Sequence, residues 1–431
     1  MNDDSAARAP STAAAGPSAA AAWPDAEATD PARLGWMVGA PPPADKIVRV
    51  ADMSHFQFPR TRWTFAHIRQ LLPSTQIWRG DGPVSALLRA ERDDLDGIGF
   101  TPIGGGAPMT WAESLAANYT DAICVLHRGR IVQERYFGVM APHRVHMAMS
   151  VTKSYVGTLG AMLVHEGLLD EQALVPSVIP ELADSAYGDA RIRDVLDMRI
   201  GLAYSEDYAD PNAGIWEHAR AGGTFPRPPG YSGAQSYFEF LRRLRKEGPH
   251  GAGFAYKTPS TDVLGWLARR ASGRSLGELL AERFWQPLGC EQDAAMLVDP
   301  EGTEFAGGGL NPALRDMARF GEAMRLGGRF NGRQIVPEAV VEDIRRNGSV
   351  EAFRSSGPPT LPGGAYRNMW WITNNEHGAY AARGIHGQAI YVDPAAEMVI
   401  ARFASHPLAA NVHLDPTSLP AFHALARHLM R

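Results

Sequence analysis

Cysteine, lysine and long apolar runs are what this chain has least of. Its 431 residues hold two cysteines, Cys124 and Cys290, too few for a disulfide framework or a cysteine-built zinc cage. Both sit in apolar settings, Ile123-Cys124-Val125 and Leu288-Gly289-Cys290, and are expected as buried free thiols. No stretch approaches the roughly 20 consecutive apolar residues of a membrane-spanning helix. The net charge is −5 without a long run of either sign, which leaves no nucleic-acid surface and no polybasic membrane patch.

The first 33 residues lack Leu, Ile, Val and Phe altogether. They are rich in Ala, Pro, Ser and Asp and open with Asp3 and Asp4, so they have neither the basic start nor the apolar stretch of a secretion signal. A disordered tail over residues 1–35 and a cytoplasmic, reducing setting are expected. The remainder is ordinary for a globular protein with a sizeable core, at 45% hydrophobic and 21% charged for the whole chain.

What is present follows a definite order. Residues 121–137 alternate around His127-Arg-Gly129-Arg130, the pattern of a β-hairpin. A helix is expected from Ser150 to about Glu166, closed by Gly167. Shorter helices are expected over 63–72, 192–198, 237–244, 261–271 and 276–285, then over 313–324 and 337–345. Residues 203–233 carry Pro211, Pro226, Pro228 and Pro229 and read as a long loop, of the kind that more often serves function than not. Strands return at 370–372, 378–383, 387–392 and 398–404, and a last helix runs from Leu419 to Met430. The hairpin and the late strands can form one antiparallel sheet flanked by helices, giving an α+β catalytic domain over 36–431. Its α/β part covers about 50–170 and 310–431, and its helical part about 171–309.

The scarcity of lysine sharpens one motif. Lys46, Lys153, Lys246 and Lys257 are the only lysines among 42 basic residues, and Ser150-Val-Thr-Lys153 is the only S-x-x-K. Positions i and i+3 share a helix face, so hydroxyl and amine can meet on the first turn. An ordinary lysine titrates near 10.4, with about one in a thousand unprotonated at neutral pH. Burial and the helix N-terminus both favour the neutral amine, which can then take the serine proton. An acyl-enzyme formed on Ser150 and hydrolysed by water follows from that chemistry.

Tyr256, in a loop directly before a helix, is the candidate second proton carrier. The Ser150 amide and an amide from Gly384-Ile-His-Gly-Gln388 are candidates for an oxyanion hole. His386 in that segment and Trp371 nearby are candidate substrate contacts. His143-x-x-His146 has metal-pair spacing without a third ligand, so no metal is expected. Gly104 to Gly106 lacks the lysine of a phosphate loop.

These blocks, taken together over about residues 60–425, resemble the serine β-lactamase-like superfamily. Within it they resemble the 6-aminohexanoate-dimer hydrolases and the related β-lactamase-fold carboxylesterases. The carrying residues are Met149-Ser150-Val-Thr-Lys153-Ser154, Leu196-Asp-Met198, Tyr204-Ser-Glu206-Asp207-Tyr208, Tyr256 with Thr261-Asp262, Phe305-Ala-Gly-Gly-Gly309, Arg315-Asp316-Met-Ala-Arg319 and Gly384-Ile-His-Gly-Gln388. The resemblance implies a serine β-lactamase and penicillin-binding-protein-like fold. It implies Ser150 as nucleophile, Lys153 and Tyr256 as proton-transfer partners, and the Ser150 and Ile385 amides as the oxyanion hole. Tyr208 is implied as a helper for amide substrates, and no cofactor or metal is implied.

The chain departs from the wider pattern at Tyr256-Lys257-Thr258 and at His386-Gly387, where Lys-Thr-Gly is common. In the loop after Tyr208, where the nylon-oligomer enzymes carry an Asp and then a Trp, this chain has Ala219 and Thr224. The expected partner is a small ester or amide substrate, with a homodimer allowed as the assembly. The alternatives are a β-lactamase or D-Ala peptidase, and a catalytically silent binding protein on the same fold.

Overall fold

The computed structural model describes residues 23–431. Its frame is an eight-stranded sheet. The strands in chain order are β1 (Leu88–Arg89), β2 (Thr120–His127), β3 (Arg130–Tyr136), β4 (Ala365–Arg367), β5 (Trp370–Ile372), β6 (Tyr380–Gly384), β7 (Gln388–Asp393) and β8 (Met398–Ala404). Their spatial order is β4-β5-β6-β7-β8-β2-β3-β1. All neighbours are antiparallel except the short edge strand β1, which runs parallel to β3. The sheet is therefore mixed, where the sequence pattern led to the expectation of an antiparallel one. The β2–β3 turn carries Arg128 at φ 51° and Gly129 at φ 74°, the left-handed pair that a two-residue hairpin requires.

Alternation along the strands fixes what lies on each face. Cys124, Leu126, Ile390 and Val392 point to one side; Ile123, Val125, Tyr391 and Ile400 point to the other. Helices α1 (Trp111–Ala117), α2 (Val151–His165), α3 (Gly214–Ala221), α4 (Pro259–Ser272), α5 (Leu314–Arg325) and α6 (Asp415–Leu429) carry the argument. The second face is covered by α1 and α6 through Trp111, Leu115, Phe422 and Leu425. The first is covered by α2 and α5, and its core continues into the central helices. Both cysteines are buried and free.

The central segment is mainly helical, as expected. It also contains a strand, Ala294–Leu297, which pairs with Ser74–Ile77 and Leu310–Asn311 in a three-stranded sheet. That sheet ties the helical part back to both flanks of the α/β part. The helix expected over 63–72 is broken into Thr61–Thr64 and a 3-10 turn at Ile68–Gln70. Residues 203–233 are not all loop, because α3 forms within them.

Residues 1–22 of the expected tail lie outside the described residues. Residues 23–35 are folded, which corrects the expectation of disorder there. Asp30 caps a short helix, Pro31–Leu34, by accepting from the Ala32 amide at 2.8 Å. The Tyr119 hydroxyl donates to the Pro24 carbonyl at 2.9 Å, and the buried Arg62 guanidinium donates to the Ala26 carbonyl and to Thr29. The segment is held by polar contacts more than by apolar burial, so a search for hydrophobic residues passes over it. Among the described residues no helix is long and apolar enough to cross a membrane.

Candidate active site

The site begins with α2. The helix is apolar almost all round, and every residue from Val151 to Leu163 is buried, which places it in the core. Gly157 makes this possible. A Cβ there would stand 2.3 Å from the Asn368 carbonyl oxygen, so only glycine lets α2 press against the chain entering β5. Met149 turns the backbone into the helix with φ 49°, a left-handed conformation that costs on the order of 1 kcal/mol and gathers at functional turns. Ser150 follows at the N-cap position, and its side chain makes no capping hydrogen bond. Its hydroxyl is thereby left for other work.

Lys153, one turn on, is fully buried. Its Nζ lies 2.8 Å from Ser150 Oγ and donates to the Gly307 carbonyl at 2.6 Å. Burial pulls the amine down to about 8, with Glu206 and then Asp262 pulling the other way. Neither carboxylate hydrogen-bonds to the amine. The neutral fraction at pH 7 is therefore roughly one in ten, on the order of a hundred times that of a free lysine.

Tyr256 sits over the same pair. Lys153 Nζ is 5.1 Å from its ring centroid, and Ser150 is among the groups that act on its phenol. Burial and then the Glu206 charge push the phenol upward, against weaker pulls from Ser150 and Arg383. A phenol so placed stays protonated at neutral pH. The two groups divide the work that acyl transfer needs: Lys153 can accept a proton and Tyr256 can give one.

Behind the lysine lies a polar chain that sequence reasoning did not assemble. The Gly307 amide donates to Asp262 Oδ1 at 2.9 Å. Asp262 Oδ2 is 3.0 Å from His218 Nε2, a close contact without an aligned hydrogen bond. His218 Nδ1 is 3.3 Å from the Tyr204 hydroxyl. Glu206 accepts from the Thr258 amide at the start of α4. Gly307, Asp262 and Glu206 stood within motif blocks of the sequence, and that was their only signal.

The Ser150 and Ile385 amides donate to no protein acceptor among the described residues. Ile385 follows the end of β6, and Gly384 there is pressed so close that a Cβ would lie 2.7 Å from the Ala148 carbonyl oxygen. Strand end and the turn at Ser150 thus face each other, as an oxyanion hole made of two backbone amides requires.

A cleft opens before Ser150. Its walls are Phe56, Phe225, Trp216, Ile215, Met147 and Leu297, with Tyr208, His218 and Ile385 also facing it. Among the described residues no Asp, Glu, Lys or Arg lines it. Ala219 and Thr224 stand on the wall where the resemblance places Asp and Trp.

Two expected substrate contacts lie elsewhere. The Trp371 ring packs 5.2 Å from that of Tyr256 and 5.3 Å from the Arg383 guanidinium, so it braces Tyr256 from behind. The buried His386 ring is 5.2 Å from Phe65, and its Nδ1 meets the His406 carbonyl at 2.7 Å. Burial drives His386 down to about 4, so it is neutral and structural. Sequence could place both residues near the site but not the direction of their side chains. In the pair His143 and His146, His146 is buried against Asp121 at 3.3 Å while His143 is exposed, and they share no site.

Comparison with known proteins agrees with this geometry. The profile of the Beta-lactamase family matches residues 112–417. A 6-aminohexanoate-dimer hydrolase of Paenarthrobacter ureafaciens is 36% identical over 357 residues, covering 81% of this chain and 86% of that protein. A solved structure from Bacillus anthracis, provisionally designated a 6-aminohexanoate-dimer hydrolase, superimposes with a TM-score of 0.80 at 29% identity, covering 90% of this chain and 98% of that one. A family VIII carboxylesterase shares the fold, with a TM-score of 0.52 at 15% identity over 74% of this chain and 96% of its own. The chain belongs to the Beta-lactamase family and is one of its serine hydrolases.

Proposed function

We propose that the chain cleaves esters and amides of neutral, apolar acyl groups through an acyl-enzyme on Ser150. The observation that carries this reading is the buried Lys153 amine 2.8 Å from Ser150 Oγ. Lys153 takes the serine proton as Oγ attacks the carbonyl carbon, and the resulting ammonium is held by the Gly307 carbonyl. The carbonyl oxygen gathers negative charge between the Ser150 and Ile385 amides. Tyr256 donates a proton to the leaving oxygen or nitrogen and is reprotonated from Lys153. Water then attacks the acyl-enzyme by the same path in reverse, which regenerates Ser150.

The apolar walls support the substrate class. A charged chain end inside the cleft would lose hydration with no opposite charge to meet it. Tyr208, half-buried on the cleft wall, supports amide as well as ester cleavage. The relative from Paenarthrobacter ureafaciens is named for 6-aminohexanoate dimer, a substrate with charged ends, and that compound is the natural comparison. The test is turnover of p-nitrophenyl acetate, butyrate and octanoate beside 6-aminohexanoate dimer, by the wild-type protein and by Ser150→Ala. The expected result is Ser150-dependent ester turnover with kcat/KM rising with acyl length. Faster turnover of the charged dimer than of any ester would overturn the substrate class. Activity surviving in Ser150→Ala would overturn the nucleophile.

A further inference from the structure

On the sheet face opposite α2, the turn between β5 and β6 meets helix α6. The turn is tightly built: the Thr373 amide donates to the Ala379 carbonyl at 3.0 Å, and the Ala379 amide to Asn375 Oδ1 at 3.0 Å. It presents Glu376 and His377 toward His423 of α6. One ligand atom from each of the three residues falls within 4.8 Å of the others. His423 Nε2 is 3.2 Å from Glu376 Oε1, and the two imidazole rings are 4.8 Å apart. We propose that Glu376, His377 and His423 bind one zinc-class divalent cation that clasps α6 to the β5–β6 turn.

The arrangement goes beyond an ion pair. His377 Nδ1 is 2.7 Å from Asp393 Oδ2, and Asp393 is fully buried at the end of β7 with its other oxygen accepting the Ala396 amide at 3.0 Å. A carboxylate only accepts, so the His377 proton sits on Nδ1 and the lone pair on Nε2. A buried carboxylate that fixes the tautomer of an imidazole is the usual support behind a metal-bound histidine. Two imidazoles and a carboxylate suit zinc and its neighbours, and suit calcium or magnesium poorly. Tetrahedral zinc at about 2.0–2.1 Å from each ligand calls for the widest donor pair to close by up to about 1.5 Å. The exposed Glu376 and part-exposed His423 can make that move. Arg427, also on α6, acts on Glu376 and is the opposing charge the ion must overcome. A bound ion would join two layers of the fold and take no part in acyl transfer.

The test is calorimetric titration of ZnCl2 into the untagged, chelator-stripped full chain, with a thermal melt at each end point. The expected result is one equivalent bound, a higher melting midpoint with zinc, and reversal by chelator. His377→Ala and His423→Ala should each abolish binding while keeping ester turnover, which shows that they fold. Asp393→Asn should weaken it by about tenfold to a hundredfold. Absence of saturable binding, or equal binding by both histidine variants, would reduce the cluster to a surface ion pair and overturn the proposal.

Discussion

Two cations are buried equally deeply in this protein and are treated in opposite ways. Arg319 on α5 is met by Asp316 at 2.8 Å, by Glu291 at 2.9 Å and by the Ser85 carbonyl at 2.9 and 2.8 Å. Lys153 on α2 is met only by neutral oxygens, Ser150 Oγ and the Gly307 carbonyl. A guanidinium cannot shed its proton, so a buried arginine must be given its counter-charges. An ammonium can, and withholding counter-charge is how a fold prepares a lysine as a base. The structural site saturates its cation; the proposed catalytic site leaves its cation short. In a chain that builds almost all its positive charge from arginine, a buried lysine without a carboxylate at hydrogen-bond distance marks the place where a proton is meant to leave.

The widest test of that contrast exchanges each cation for an apolar side chain of similar length. Lys153→Met should lower kcat for p-nitrophenyl butyrate by about 10⁴-fold or more, as should Ser150→Ala, because nucleophile and base act as one unit. The melting midpoint of Lys153→Met should stay at or above that of the wild type, since a buried amine has been replaced by a thioether. Arg319→Met should do the reverse. It strands Asp316, whose carboxyl is already pushed upward by burial and held down by Arg319, at a cost of about 3–5 kcal/mol in urea denaturation. The folded fraction should turn over substrate normally. A strongly destabilised Lys153→Met or a catalytically silent, stable Arg319→Met would erase the distinction between the two sites.

The same contrast shows what could be read from the chain. Ser150 and Lys153 were legible because their relation is local, three residues apart on one helix face. The β2–β3 hairpin was legible from alternation and Gly129. The groups that complete the site are brought in over distance. Gly307, which holds the Lys153 amine, lies 154 residues further on, and Asp262 reaches Gly307 across 45. Nothing in their own neighbourhoods announces that meeting. Helix α3 was hidden by the glycines and prolines around it, and its buried side is only Ile215, His218 and Ala221, too narrow a stripe to stand out. Trp371 and His386 lie in segments correctly read as strand and turn, yet which way each ring points is decided by packing against Tyr256 and Phe65.

A finer test asks how short of charge the lysine really is. Glu206 and Asp262 both raise the Lys153 amine at a distance, Glu206 more strongly, while burial lowers it to about 8. The base must be neutral to work, so kcat/KM of the wild type should fall as pH drops through about 8, losing tenfold per unit on the acid limb. In Glu206→Gln the amide oxygen can still accept the Thr258 N–H, so the loop keeps its anchor. The ammonium loses its strongest negative influence and becomes harder to keep. The lysine should then titrate lower, and the acid limb should move to lower pH by less than about one unit, the size expected of a carboxylate acting through space. Rates at pH 6 should therefore rise relative to the plateau. A limb that moves upward, or does not move, would mean that Glu206 does not act on the amine as a charge.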